Sequence, residues 1–176
     1  MSTVVVERAF SSPVTFEQVL GAEERSASCL DAHGVRFQRT YLSHDGLRMV
    51  CLYDAPDAEA VRRAQTAAGL PFERAWTTGP IRYDGPETGP EAFVAERDFP
   101  AAIDEAALRA LAAEKAGCLE RWSCRTVWSL LARDGRRCLC IYAAPDAESV
   151  RQAQRLADVP WTTVWAAAVH GTGVPG

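Results

Sequence analysis

Residues 51–65 read CLYDAPDAEAVRRAQ, and residues 140–154 read CIYAAPDAESVRQAQ. Sliding the chain along itself by 89 positions, which carries Cys51 onto Cys140, aligns far more than these two segments. Glu7-Arg8 falls on Glu96-Arg97, Cys29-Leu30 on Cys118-Leu119, Asp45-Gly46 on Asp134-Gly135, and Trp76 on Trp165. About 26 of the 72 positions from Val5 to Trp76 are identical without a gap, where chance gives only a few. A chain of 176 residues is thereby read as two copies of one module of roughly 80 residues. The expected boundaries are 1–80 and 93–170, joined by a Gly/Pro-rich linker at 81–92 and followed by a frayed tail at 171–176.

Each copy repeats one order of elements. Val4–Phe10 and Phe93–Phe99 are β-rich and read as strands. A helix is expected over Phe16–Ala32 and Glu105–Arg121, capped by Thr15 with Gln18 in the first copy and by Asp104 in the second. Val35–Leu42 and Cys124–Ala132 read as strands that turn at Asp-Gly into Met49–Tyr53 and Cys138–Tyr142. Asp57 and Asp146 are placed to cap a second helix, and a last strand passes through Trp76 or Trp165. The order βαββαβ is that of the ferredoxin-like fold, an α+β class. Two such modules, each with one bare sheet face to bury, are expected to form a pseudo-twofold, dimer-like α/β barrel.

Composition narrows the function. A net charge of −4, with dispersed arginines, leaves no basic surplus to neutralise phosphates, so no nucleic-acid partner is expected. No apolar run approaches the roughly 20 residues of a membrane-spanning helix. The start MSTVVVERAF lacks the marks of a signal peptide. The expected location is the cytoplasm, where the six cysteines are reduced. None forms a CxxC pair; Cys138 and Cys140, two apart on a strand, share a face.

The segments VVVERAF, CLDAHGVRF, the Asp-Gly hairpin, CLYDAPDAEAVR and AGLP resemble a family of small ferredoxin-like nickel-binding proteins, here duplicated in tandem. The second copy carries the same frame in FVAERDF, CLERWSCR, CIYAAPDAESVR and VP. The resemblance covers nearly the whole chain apart from linker and tail. It implies a dimer-like assembly of two modules and binding of nickel or another divalent transition metal. No organic cofactor is implied, since none of these motifs calls for one. The second copy departs from the pattern, because Trp122 stands where the first has His33.

Alternation suggests which residues meet. Val50 and Leu52 point one way on the third strand, and Met49, Cys51 and Tyr53 the other. The purely aliphatic set suits a helix-facing core, which would turn the Cys/Tyr set toward the second sheet. With the first and third strands placed side by side and parallel, Glu7 is expected near Cys51 and Tyr53, and Glu96 near Cys140 and Tyr142. Carboxylates and thiols are sound ligands for divalent transition metals. Cys29 and His33, at i and i+4, project from one helix flank and add a thiolate and an imidazole. The candidate metal ligands are therefore Glu7, Cys29, His33, Cys51, Glu96 and Cys140, with Tyr53 and Tyr142 as ligand-binding groups.

The plain alternative is packing. Cysteine is a small buried hydrophobe, and each glutamate can pair with an arginine such as Arg36 or Arg125. No nucleophile elbow, P-loop, dinucleotide fingerprint, HExxH or EF-hand loop is present. The leading reading is a cytoplasmic binder of a nickel-like divalent ion. Its rivals are a cofactor-independent cyclase, isomerase or monooxygenase using the inter-module cavity, with Glu7 or Glu96 as base, and a non-catalytic ligand-binding module. The expected partners are a metal ion or small molecule. The fused pair is already dimer-like, and further homodimerisation stays open.

Overall fold

The computed structural model describes residues 1–171. The expected tail at 171–176 therefore lies, beyond Gly171, outside the described residues. The chain is α+β, with eight strands and five helices among the described residues. It forms two compact units among the described residues: Met1–Thr78 together with Ala168–Gly171, and Gly79–Ala167.

The first unit contains β1 (Ser2–Ala9), α1 (Phe16–Arg25), α2 (Ala27–Ala32), β2 (Arg36–Ser43), β3 (Arg48–Ala55), α3 (Ala58–Ala67) and the start of β4 (Arg74–Arg82). The second contains β5 (Glu91–Asp98), α4 (Glu105–Glu120), β6 (Arg125–Ala132), β7 (Arg137–Ala143), α5 (Ala147–Ala157) and most of β8 (Thr163–His170). Strand β4 extends through Gly79–Arg82, into residues that read as linker from their Gly/Pro content.

Local chemistry sets these elements. Thr15 and Gln18 form the reciprocal capping box of α1. Asp57, Asp104 and Asp146 accept the backbone N–H groups of Ala60, Ala107 and Ser149 at 2.8, 2.8 and 2.7 Å. The Asp-Gly turns place Gly46 and Gly135 at φ +70°, where a side chain is strained, and a Cβ at Gly46 would meet the Val14 carbonyl at 2.7 Å.

The first copy's long helix is in fact two helices. It breaks at Ser26 (φ −105°, ψ 6°), whereas α4 runs unbroken through the matching Lys115. Gly21 and Ser26 are poor helix formers where the second copy has Ala110 and Lys115.

Strand direction and facing differ from expectation. β1 pairs with β3 antiparallel, with Val4 opposite Tyr53, Val6 opposite Cys51 and Glu7 opposite Val50. β5 pairs with β7 in the same sense. The connectivity requires it: the hairpin after β2 reverses β3, and β2 runs in the direction of β1. On β3 the helix-facing set is also the reverse of the one anticipated, while Val4 and Val6 of β1 face the helices as the alternation suggests. Val4, Val6, Met49, Cys51, Tyr53 and Ala55 pack with Leu30, Ala58, Val61 and Ala64 from α2 and α3. In the second unit Cys138, Cys140 and Tyr142 pack likewise with Leu108 and Val150 from α4 and α5. Val5, Val50 and Leu52, on the opposite sheet face, are equally buried. Alternation alone cannot say which of two buried faces meets the helices.

A bulge shared by both copies completes the arrangement. The β2–β3 register shifts between Phe37 and Arg39, and the β6–β7 register between Thr126 and Trp128. The extra residue re-aims the strand. It sets Thr40 opposite Cys51 and Ser129 opposite Cys140 on the helix-facing side.

Candidate functional site

Beneath the helices of each unit lies a polar cluster built on a buried arginine. Arg8 continues the Val4, Val6 alternation of β1, and Arg97 holds the same place on β5. In the first unit an Arg8 Nη2 donates to Gln65 Oε1 at 2.7 Å and lies 3.5 Å from the Tyr53 hydroxyl. Its Nη1 donates to the Pro71 carbonyl. In the second unit Arg97 donates to Gln154 Oε1 at 2.6 Å, the Tyr142 hydroxyl at 3.0 Å and the Pro160 carbonyl at 2.6 Å. A buried cation is tolerated because it is densely hydrogen-bonded.

Two of the differences between the copies bear on this cluster. The first is Glu23, on α1, whose counterpart on α4 is Ala112. Glu23 is 7% exposed and accepts a hydrogen bond from the Tyr53 hydroxyl. Burial pushes its carboxyl above the usual carboxylate range, with the Tyr53 hydrogen bond and Arg8 opposing the shift. Burial also pushes the Tyr53 phenol well up, so it stays protonated and donating. Arg8 and Glu23 border a cleft of about 170 Å³ whose other walls include Phe10, Val19, Met49 and Leu70. Two buried N–H groups of this cluster, Arg8 Nε and Gln65 Nε2, have no acceptor at full hydrogen-bond geometry, although the Arg8 guanidinium faces the Cys51 thiol. Their counterparts are both satisfied: Arg97 Nε donates to Cys140 Sγ at 3.4 Å, and Gln154 Nε2 to the Tyr142 hydroxyl at 3.2 Å.

The second divergence is Met49, which becomes Cys138. Cys138 Sγ then lies 3.7 Å from Cys140 Sγ. In the first unit Cys51 accepts a hydrogen bond from Thr40 Oγ1 at 3.1 Å, and burial pushes its thiol up.

The other expected site residues are spread apart. Glu7 lies opposite Val50 rather than on the Cys51 face, and its Oε1 accepts the Trp76 indole N–H at 2.6 Å. Glu96 accepts the Trp165 indole N–H at 2.9 Å and pairs with Arg137 at 2.7 Å. The arginine is thus Arg137, not Arg125; Arg36 pairs with Asp54 at 3.6 Å. Cys29 lies on α2 and is half-buried, and His33 caps that helix's C-terminus. Among the described residues, no three or more His, Cys, Asp or Glu side chains converge as a metal-binding group.

Arg8, Gln65 and Glu23 escaped the sequence reading. The first two had a signal, since both recur in the repeat (Arg97, Gln154), one of them in phase with Val4 and Val6. Glu23 had none, because its importance lies in its absence from the second copy.

Fold and clusters together define a tandem α+β protein whose two modules enclose polar groups between helices and sheet. The chain belongs to the SCO4226-like family of nickel-responsive proteins, whose model matches residues 5–77 and again 93–166, as a tandem duplication. SCO4226 of Streptomyces coelicolor A3(2) is 18% identical and covers 50% of this chain and 100% of its own, with a TM-score of 0.39. A putative chlorite dismutase, TA0507, is similar over 96% of this chain and 94% of its own at 12% identity, with a TM-score of 0.50; the likeness is one of fold alone. An anthrone oxidase-like protein covers 99% and 95% at 12% identity, with a TM-score of 0.48. No curated protein matches the chain.

Proposed function

We propose that the first module binds a compact apolar molecule in the cleft under α1 and moves a proton on it, with Glu23 as the base. The observation that carries this is a buried carboxylate, its proton affinity raised by burial, sharing an apolar cleft with a buried guanidinium. Abstraction of a proton beside a carbonyl leaves negative charge on the carbonyl oxygen. Arg8, with an unclaimed N–H, supplies charge and a donor to stabilise that oxyanion. Tyr53 holds Glu23 in place through its hydroxyl. This is the chemistry of a cofactor-free isomerase. The volume, about 170 Å³, is below the usual range for drug-sized ligands and favours a small substrate.

Cyclohexanone in D2O is a suitable probe. Wild-type protein should accelerate deuterium uptake at the carbons beside the carbonyl, read by NMR. Glu23→Gln should abolish that exchange and still fold. Equal exchange by both proteins, or none by either, would count against the reading.

The family description supports a second reading, nickel binding. Cys29 and His33 offer two donors four residues apart, with Glu7, Cys51, Glu96 and Cys140 too scattered to complete their set. Two donors fall short of the usual four, so the remaining ligands would be water. Calorimetric titration of metal-free protein with nickel tests it: a stoichiometric heat lost in His33→Ala supports the reading, and no heat removes it.

A further inference from the structure

The second module carries a group of side chains that proton transfer does not use. Cys138 and Cys140, two residues apart on β7, point to the same side with their sulfurs 3.7 Å apart. Arg97 Nε donates to Cys140 Sγ, and Ser129 Oγ lies 3.4 Å from it. Cys140 also borders a cavity of about 40 Å³, together with Arg97, Tyr142 and Ser129. That exceeds the roughly 10–15 Å³ needed to hold one water molecule and stays far below the size of an ordinary ligand site. We propose that Cys138 and Cys140 form a peroxide-reducing dithiol, with Cys140 as the attacking sulfur and Cys138 as the resolving one.

The electrostatics agree. Arg97 and Ser129 reach the Cys140 sulfur, so positive charge and a hydroxyl favour the thiolate there and leave the proton on Cys138. The first module shows what these features do by their absence. Met49 replaces the second thiol, Glu23 supplies a competing negative charge, and the Cys51 thiol is pushed up.

The chemistry balances with hydrogen peroxide as oxidant. The Cys140 thiolate attacks one peroxide oxygen, an S–O bond forms and the O–O bond breaks. The leaving hydroxide takes the Cys138 proton and departs as water. The Cys138 thiolate then attacks the Cys140 sulfenic sulfur, the S–S bond forms, and hydroxide leaves with a solvent proton as a second water. Sulfur has lost two electrons and the peroxide has gained them. Residues two apart on a strand have Cα atoms about 6.6 Å apart, at the upper limit for a disulfide, and their Cβ atoms must close to about 3.5–4.5 Å, so β7 buckles locally as the bond forms. A small dithiol such as dithiothreitol restores both thiols.

The test uses the reduced full chain and one equivalent of hydrogen peroxide, followed by alkylation, trypsin and mass spectrometry. Cleavage after Arg137 and Arg151 puts both cysteines in one peptide, Cys138–Arg151. That peptide should lose two hydrogens and escape alkylation, while peptides holding Cys29, Cys51 and Cys118 stay alkylated. Cys138→Ser should leave a Cys140 sulfenic acid that dimedone traps once the oxidised protein is unfolded in denaturant, and Cys140→Ser should leave Cys138 unreacted. Ala112→Glu, which restores the first module's carboxylate, should slow oxidation at least about tenfold, because it competes for Arg97. The bulkier tert-butyl hydroperoxide should react far more slowly than hydrogen peroxide. Oxidation of Cys51 or Cys29 as fast as the Cys138–Arg151 peptide overturns the proposal. So does a wild-type peptide that is still fully alkylated, a result that stands even if a variant fails to fold.

Discussion

Replacing Glu96 with glutamine separates a structural carboxylate from a functional one. Glu96 and Arg137 meet at 2.7 Å with side chains only 13% and 11% exposed. A hydrogen bond to a charged group is worth about 1.5–3 kcal/mol in folded proteins. Glutamine keeps a carbonyl oxygen for the Trp165 indole N–H, and Arg137 keeps Asp98 at 3.2 Å. The loss should therefore stay below the full cost of breaking an isolated buried pair, at about 2 kcal/mol. Alanine also strands the Trp165 N–H, which adds about 1–3 kcal/mol, for about 4 kcal/mol in all. At about 2–4 °C per kcal/mol for a chain of this size, glutamine should lower the Tm by about 4–8 °C. Urea unfolding followed by tryptophan fluorescence reads the difference. A glutamine variant within about 0.5 kcal/mol of wild type, the range of unremarkable surface changes, would refute the structural assignment and return Glu96 to the list of functional carboxylates.

Two further outcomes follow from the same geometry. Because burial raises the Glu23 pKa above its unfolded value, the native state binds more protons than the unfolded chain between the two values. Stability should then fall as pH rises through that window from the ordinary glutamate range, and Glu23→Gln should gain on wild type over the same span; a flat or inverted difference in urea midpoints from pH 4 to 8 would contradict it. Asp146→Ala, which removes the acceptor for the Ser149 N–H, should cost about 1 kcal/mol in the denaturant midpoint, with Asp146→Asn close to wild type.

The duplicated segments, the Asp-Gly turns and the aspartate caps were legible in the sequence because each is governed by residues within a few positions of one another. The capping box at Thr15 and Gln18 and the positive φ at Gly46 and Gly135 are local physics, and they fall where the spacing says. The family frame was legible for the same reason, through contiguous motifs. Tertiary structure alone decided which face of β3 meets the helices, because Val50 and Leu52 on one side and Cys51 and Tyr53 on the other are all buried. It alone decided that Glu7 binds Trp76, 69 residues away, and that Arg8 reaches Gln65, 57 residues away. It also decided that a bulge sets Thr40 against Cys51 and Ser129 against Cys140. A pattern of period two fixes alternation but not its sign, and a bulge reverses that sign partway along the strand. The polar groups that gather under the helices come from strands and helices far apart in the chain, and only their packing brings them together.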